Sequence, residues 1–187
     1  MSDSAPIVLF LCTGNAARSV MCGAMLESRF PGLATITAGT HVVEGMPMSI
    51  RTRNALDGVG ITNPMHRSHQ LTEEDLRKSD LVVGLAPEHV QYVRRSHARA
   101  VARTATLERF VRDLPGTSGS LGERVAALGL ADVEVEDWEE VVDPAGGDEA
   151  VFHACAAELL PLVDALGLEV QRSEGEVLDG TGEAGVA

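Results

Sequence analysis

The sequence predicts an α/β fold, a three-layer, doubly wound sheet of about four parallel strands. Two observations carry that prediction. Short apolar runs such as "PIVLFLC" (6–12) and "LVVGL" (81–85) lack polar alternation and suit strands covered on both faces. Between them lie stretches with helical spacing of apolar residues, the alternation that builds parallel strand–helix–strand units. A length of 187 residues suits one core, so residues 1–172 are expected to form a single domain. The polar, glycine-rich, acidic tail 173–187 is expected to be disordered.

Taken in order, residues 6–12 form the first strand. Residues 17–30 form a helix that turns Val20 and Ala24 inward, with Met21, Met25 and Leu26 beside them. "LATITAG" (33–39) is a β-branched second strand, and 49–61 is a helix closed by glycines. Thr72 followed by Asp75 opens a helix over 71–80 with a capping box. Strand 81–85 follows, then a helix over 87–100 that begins on Pro87, a favoured first-turn position. A weaker strand lies near 101–107, a loop over 115–123, and a short helix over 124–130. The long amphipathic stretch 148–170 should cover the sheet, interrupted or kinked at Pro161.

Aromatic residues make up only 3% of the chain, so Val, Leu, Ala and Met must fill the core. A formal charge of −13 argues against nucleic acid as a partner, and a small anionic ligand needs a local positive site to overcome that field. Three cysteines, Cys12, Cys22 and Cys155, are an odd number without metal-ligand spacing, so neither a disulfide framework nor a metal site is expected, and no cofactor is called for. "MSDSAP" has no basic leader, and the apolar run after it is too short for a signal or a membrane span. A cytoplasmic protein without a membrane partner is the expectation.

Cys12 stands where a strand ends and a helix is about to begin. The intervening residues Thr13, Gly14, Asn15, Ala16, Ala17 and Arg18 contain no proline, so every backbone N–H is available. Gly14 and Asn15 tolerate positive φ, and a loop of this kind can curl until its amides form an anion-binding nest at a helix amino terminus. Such a loop lies at the carboxyl edge of a parallel sheet, where open α/β folds bind ligands. Cysteine at a helix amino terminus near an arginine ionises more readily than a free thiol, which favours Cys12 as a nucleophile. Arg18 offers a planar fork for two phosphoryl oxygens, and Ser19 a hydroxyl for the sulfur. Cys22 and Cys155 fall on inward helix positions and read as core. A phosphoryl transfer also needs a proton donor for the leaving group, and composition alone does not choose among the carboxylates of 132–148.

"VLFLCTGNAARS" resembles the phosphate-binding loop of the low-molecular-weight protein tyrosine phosphatases and of the related thioredoxin-coupled arsenate reductases. The resemblance continues through "ITAGT" (36–40), "GVGI" with "HRSHQLTEEDLRKSDLVVGL" (58–85) and "VVDPAG" (141–146). It implies a flavodoxin-like phosphotyrosine phosphatase I fold with strand order 2-1-3-4, and hydrolysis through a phosphocysteine on Cys12. It also implies that Arg18 clamps the phosphoryl group, that residues 13–19 bind phosphate and that Asp143 is the proton donor. His66 and Thr37 are the expected partners of Asn15. His69, His89, His97 and His153 are expected on surfaces or helix faces.

The chain departs from that pattern in places. Ala17 replaces a second cysteine found in many members, and Ala16 replaces a larger residue. The aromatic residues common after "AGT" and after Asp-Pro are replaced by His41-Val42-Val43 and Ala145-Gly146, while Trp138 is either a rim ring or a packing residue. The substrate therefore stays open among a phosphorylated protein, with phosphotyrosine or phosphoarginine, a small phosphate ester and arsenate. Arsenate reduction with an external thiol and a catalytically silent phosphate-binding module are the alternatives. A monomer or weak dimer is expected.

Overall fold

The structure, a computed structural model, describes residues 5–63 and 65–172; the tail expected over 173–187 lies outside the described residues. Its sheet has four parallel strands, β1 (Ile7–Cys12), β2 (Ala34–Gly39), β3 (Leu81–Gly84) and β4 (Thr104–Thr106), in the order β2-β1-β3-β4. The helices are α1 (Arg18–Arg29), α2 (Ile50–Gly58), α3 (Glu73–Lys78), α4 (Pro87–Ser96), α5 (Leu107–Asp113), α6 (Leu121–Ala127) and α7 (Glu149–Gln171).

β1 is apolar at every position because each of its faces is covered. Val8, Phe10 and Cys12 point into the larger core, with Met21 and Met25 of α1, Phe110 of α5 and Leu159 of α7. Leu9 and Leu11 point the other way, to Leu76 of α3 and Val93 of α4. The two-residue period of a strand is therefore present but unmarked by polarity. Cys12 pairs with Gly39 at the carboxyl ends of β1 and β2, while β1 has β3 on its other side. The β1–α1 loop thus leaves the sheet where the chain direction switches sides.

The expected α3 capping box is present, with Thr72 Oγ1 accepting from Asp75 N and Asp75 accepting from Thr72 N. Four features differ from expectation. α4 stops at Ser96, because a tight 3-10 stretch over Ala98–Arg103 brings the Arg103 guanidinium onto the carbonyls of Leu76 and Ser79. α5 has no counterpart in the sequence reading; Thr106 caps it by accepting from Arg109 N, and seven residues are too few to display a helical period. α6 starts at Leu121, inside the expected loop, because Ser120 and Glu123 form a capping box. α7 runs unbroken through Pro161. It is long and apolar enough to cross a membrane on length and composition, yet Phe152, Ala156, Leu159, Val163 and Leu166 are buried, and it packs on α1, α2 and α5.

Candidate active site

The β1–α1 loop is held by its carbonyls. Cys12 O accepts from Thr40 N (3.0 Å) and Thr13 O from His41 N (2.9 Å). Asn15 O accepts from the His66 Nε2–H (2.9 Å), Ala16 O from the Thr52 hydroxyl (2.8 Å) and Ala17 O from Met21 N (2.8 Å). In a planar trans peptide the next residue's N–H points opposite to the carbonyl. Five carbonyls bonded to the surroundings therefore turn the N–H groups of residues 13, 14, 16, 17 and 18 to the loop's inner side, at the amino terminus of α1. Inward amides at a helix amino terminus form a cradle suited to an anion.

Asn15 is the corner of the loop and the one described non-glycine residue with positive φ, 49°. Its side chain offsets the strain: Oδ1 accepts from His69 N (2.8 Å), and Nδ2 donates to Ser19 Oγ (3.0 Å). Because Ser19 accepts from Asn15, its single proton is free for Cys12 Sγ, 2.9 Å away. Cys12, Asn15, Arg18 and Ser19 are all buried, whereas Gly14 and Ala16 open to solvent. Gly39 makes the close approach possible, since a Cβ there would lie 2.6 Å from Thr13 O and 2.9 Å from Asn15 N.

Arg18 Nη1 donates to Val141 O (2.9 Å), and Nη2 meets Asp143 Oδ2 at 2.5 Å. The strap carrying Asp143 is fixed at three points. Val141 N donates to Leu85 O (3.0 Å), and Asp143 Oδ1 accepts from Ala145 N (2.9 Å). Buried Glu139 accepts from the Thr106 hydroxyl (2.5 Å) and pairs with Arg109. The result is one guanidinium, one carboxylate and one thiol around an inward-facing ring of amides. Among the described residues no group of three or more His, Cys, Asp or Glu side chains gathers as a metal site.

Residues 7–123 match the family model of low molecular weight phosphotyrosine protein phosphatase. The chain belongs to that family. Its curated relatives include a protein-arginine-phosphatase of Geobacillus stearothermophilus, 30% identical over 89% of this chain and 97% of the relative. They also include a probable low molecular weight protein-tyrosine-phosphatase EpsP of Ralstonia solanacearum, 31% identical over 58% of this chain and 77% of the relative. Among solved structures, YwlE arginine phosphatase from Geobacillus stearothermophilus superposes with a TM-score of 0.72 at 30% identity, covering 89% of this chain and 93% of that one. A low molecular weight protein tyrosine phosphatase from T. tengcongensis gives 0.71 at 28% identity, covering 87% and 97%.

Within this family member, the sequence-predicted residues Cys12, Thr13, Gly14, Asn15, Ala16, Ala17, Arg18, Ser19, His66 and Asp143 all converge on one loop. Thr37 does not. It lies on the face of β2 that meets α1, where a Cβ on Gly23 would fall 2.4 Å from Thr37 Cγ2, so its role is to seat the helix. The hydrogen bond to the Asn15 side chain comes instead from the His69 backbone.

His89 corrects a second expectation: it is 1% exposed and belongs to the site, with Nε2 3.1 Å from Thr13 Oγ1. Burial, with the field of Arg18 adding and Asp143 opposing, pushes its imidazole down to about 3. The sequence signal was its place in the first turn of α4, at the carboxyl end of β3. His66 is also pushed down, by burial, against its bond to Asn15. Trp138 is partly exposed, with its ring under the guanidinium groups of Arg109 (5.2 Å) and Arg112 (4.2 Å). Cys22 and Cys155 are buried, and burial raises both thiols, Cys155 to about 12.

Proposed function

We propose that the protein is a cysteine-dependent protein phosphatase that works through a phosphocysteine. The observation that carries this reading is the convergence of Cys12 Sγ, the Ser19 hydroxyl, the Arg18 fork and Asp143 on a cradle of inward amides. In the first step Cys12 sulfur attacks phosphorus and forms an S–P bond. The bond to the leaving oxygen or nitrogen breaks, and Asp143 hands its proton to that atom. In the second step Asp143 takes a proton from water, the water oxygen attacks phosphorus and the S–P bond breaks. Cys12 returns as thiolate, with the Ser19 hydroxyl donating to it, and inorganic phosphate leaves.

Arg18 and Asp143 pair directly beside the cradle. A tetrahedral dianion in the cradle competes with Asp143 for the guanidinium, which leaves the carboxyl group available to the leaving atom.

Phosphoarginine fits this mouth better than phosphotyrosine. His41, Val42 and Val43 on one segment and Ala145 and Gly146 on the other supply no Phe, Tyr or Trp ring to stack on a phenyl group; the His41 imidazole is set edge-on to Tyr92, and Trp138 is held under two arginines elsewhere. The relative named protein-arginine-phosphatase also aligns over 89% of the chain, against 58% for the EpsP relative. These relatives favour phosphoryl hydrolysis over arsenate reduction or a silent module. A cytoplasmic setting fits a nucleophile that must stay reduced.

The test is turnover of p-nitrophenyl phosphate. Cys12→Ser should abolish it while vanadate still binds, and Asp143→Asn should lower kcat by roughly 10²–10⁴-fold. Undiminished turnover by the serine variant rules the mechanism out.

A further inference from the structure

An anion cradle in a chain of net charge −13 has a carboxylate at its rim, which a simple phosphate site has no use for. Glu88 occupies the first turn of α4, and its side chain is two-thirds exposed. Its Oε1 lies 3.3 Å from the hydroxyl of Thr13, the residue that follows the nucleophile. The same hydroxyl lies 3.1 Å from Nε2 of buried His89.

Proton accounting fixes the direction of this chain. His89 Nδ1 is buried and has no partner among the described residues. A proton on Nδ1 would leave a donor unsatisfied, which costs more than a lone pair left bare on an under-used acceptor. The tautomer is therefore Nε2–H, which donates to Thr13 Oγ1. The one hydroxyl proton of Thr13 then has Glu88 as its acceptor. Gly84 admits the imidazole behind the loop, since a Cβ there would lie 3.1 Å from His89 Cβ.

We propose that Glu88, aimed by Thr13 and His89, is a specificity-determining residue that selects a cationic leaving group, the guanidinium of phosphoarginine, at the mouth of the cradle. The proposal rests on the phosphatase reading above. A rim carboxylate repels a phosphorylated phenol or alcohol, which brings only negative charge. It attracts a phosphoguanidinium, whose nitrogens bring positive charge and N–H donors within reach of a carboxylate. Asp143 serves the atom that leaves; Glu88 reads the charge of the group that carries it.

The test compares Glu88→Gln with wild type on a phosphoarginine peptide and on p-nitrophenyl phosphate. Glutamine keeps the shape and a hydrogen-bond acceptor and removes only the charge. The expected result is about a 3- to 10-fold fall in kcat/KM for the phosphoarginine peptide, the range of a partly exposed charge contact, with p-nitrophenyl phosphate unchanged or faster. Thr13→Val, which frees the carboxylate without removing it, should shift the same ratio in the same direction. An equal effect on both substrates, or none on either, overturns the proposal. So does a wild type that hydrolyses p-nitrophenyl phosphate but not the phosphoarginine peptide, an outcome that leaves the cysteine mechanism standing. Loss of the mechanism itself is read separately, from Cys12→Ser.

Discussion

Ser19 stands between the two jobs of the loop: it accepts from Asn15, which closes the corner, and gives its proton to Cys12 sulfur. In the proposed mechanism the second job matters most when sulfur leaves phosphorus as an anion. A hydrogen bond to a charged group contributes about 1.5–3 kcal/mol, and each 1.4 kcal/mol is tenfold in rate. Ser19→Ala should therefore lower kcat by roughly 10- to 100-fold, with a burst of p-nitrophenol as the phosphocysteine accumulates. Steady-state rates equal to wild type, with no burst, would show that the sulfur does not use this donor. At this scale the sequence was informative where chemistry depends on near neighbours. Cys12, Asn15, Arg18 and Ser19 lie within one strand-to-helix turn, so their spacing alone places them together. His89 was not legible in that way, because a histidine in the first turn of a helix faces solvent or the site according to how α4 docks on β3. A tertiary contact decided it.

The elements around the loop act as clips, and their chemistry is local in space but not in sequence. His69 joins three of them: its N–H holds Asn15, its Nδ1 meets Glu44 (3.0 Å) and its Nε2 meets Asp75 (2.8 Å), which also caps α3. The bond to Glu44 raises the imidazole; burial opposes, and Asp75 adds to the rise. A raised folded-state value means that the protonated ring is favoured on folding. The added stability is complete below the unfolded value of about 6.5 and fades as pH climbs through the raised one. The melting-temperature gap between wild type and His69→Gln should thus be widest in mildly acidic buffer and narrow above neutrality. A gap that grows with pH would reverse the sign and refute the assignment. The strands, the α3 capping box and the strand-to-helix turn after β1 were readable from apolar runs and cap residues, since those signals are local, whereas the strand order was implied only by the family resemblance. The Asp143 strap was not. Its segment, "DVEVEDWEE", carries the composition of a solvated acidic surface. Glu139 is buried there only because Arg109 and Thr106 meet it from another part of the sheet.

For the molecule as a whole, the question is what ties the late helices to the sheet that carries the site. Among the described residues Arg124 of α6 is the largest fully buried side chain, and it donates to Glu169 O (2.6 Å), the Glu169 carboxylate and Thr117 Oγ1 (3.2 Å). Burial and the nearby Arg172 depress the guanidinium, while Glu169 holds it up. Arg172 adds a second cation, 3.2 Å from the same carboxylate, and donates to Thr117 O (2.8 Å). This network fastens the end of α7 to α6, and α7 in turn backs α1, whose amino terminus forms the cradle. A buried pair of this kind gives little net stability over an apolar replacement, but removing one member strands the other without its partner. Arg124→Ala should therefore cost about 3–5 kcal/mol in urea unfolding. Arg124→Met combined with Glu169→Leu and Arg172→Met, which removes all three charges and most of the void, should recover much of that loss. If the triple variant is no more stable than Arg124→Ala alone, the network holds α6 and α7 together through its charges rather than through the space it fills, and the docking of α7 on α1 depends on that ionic contact.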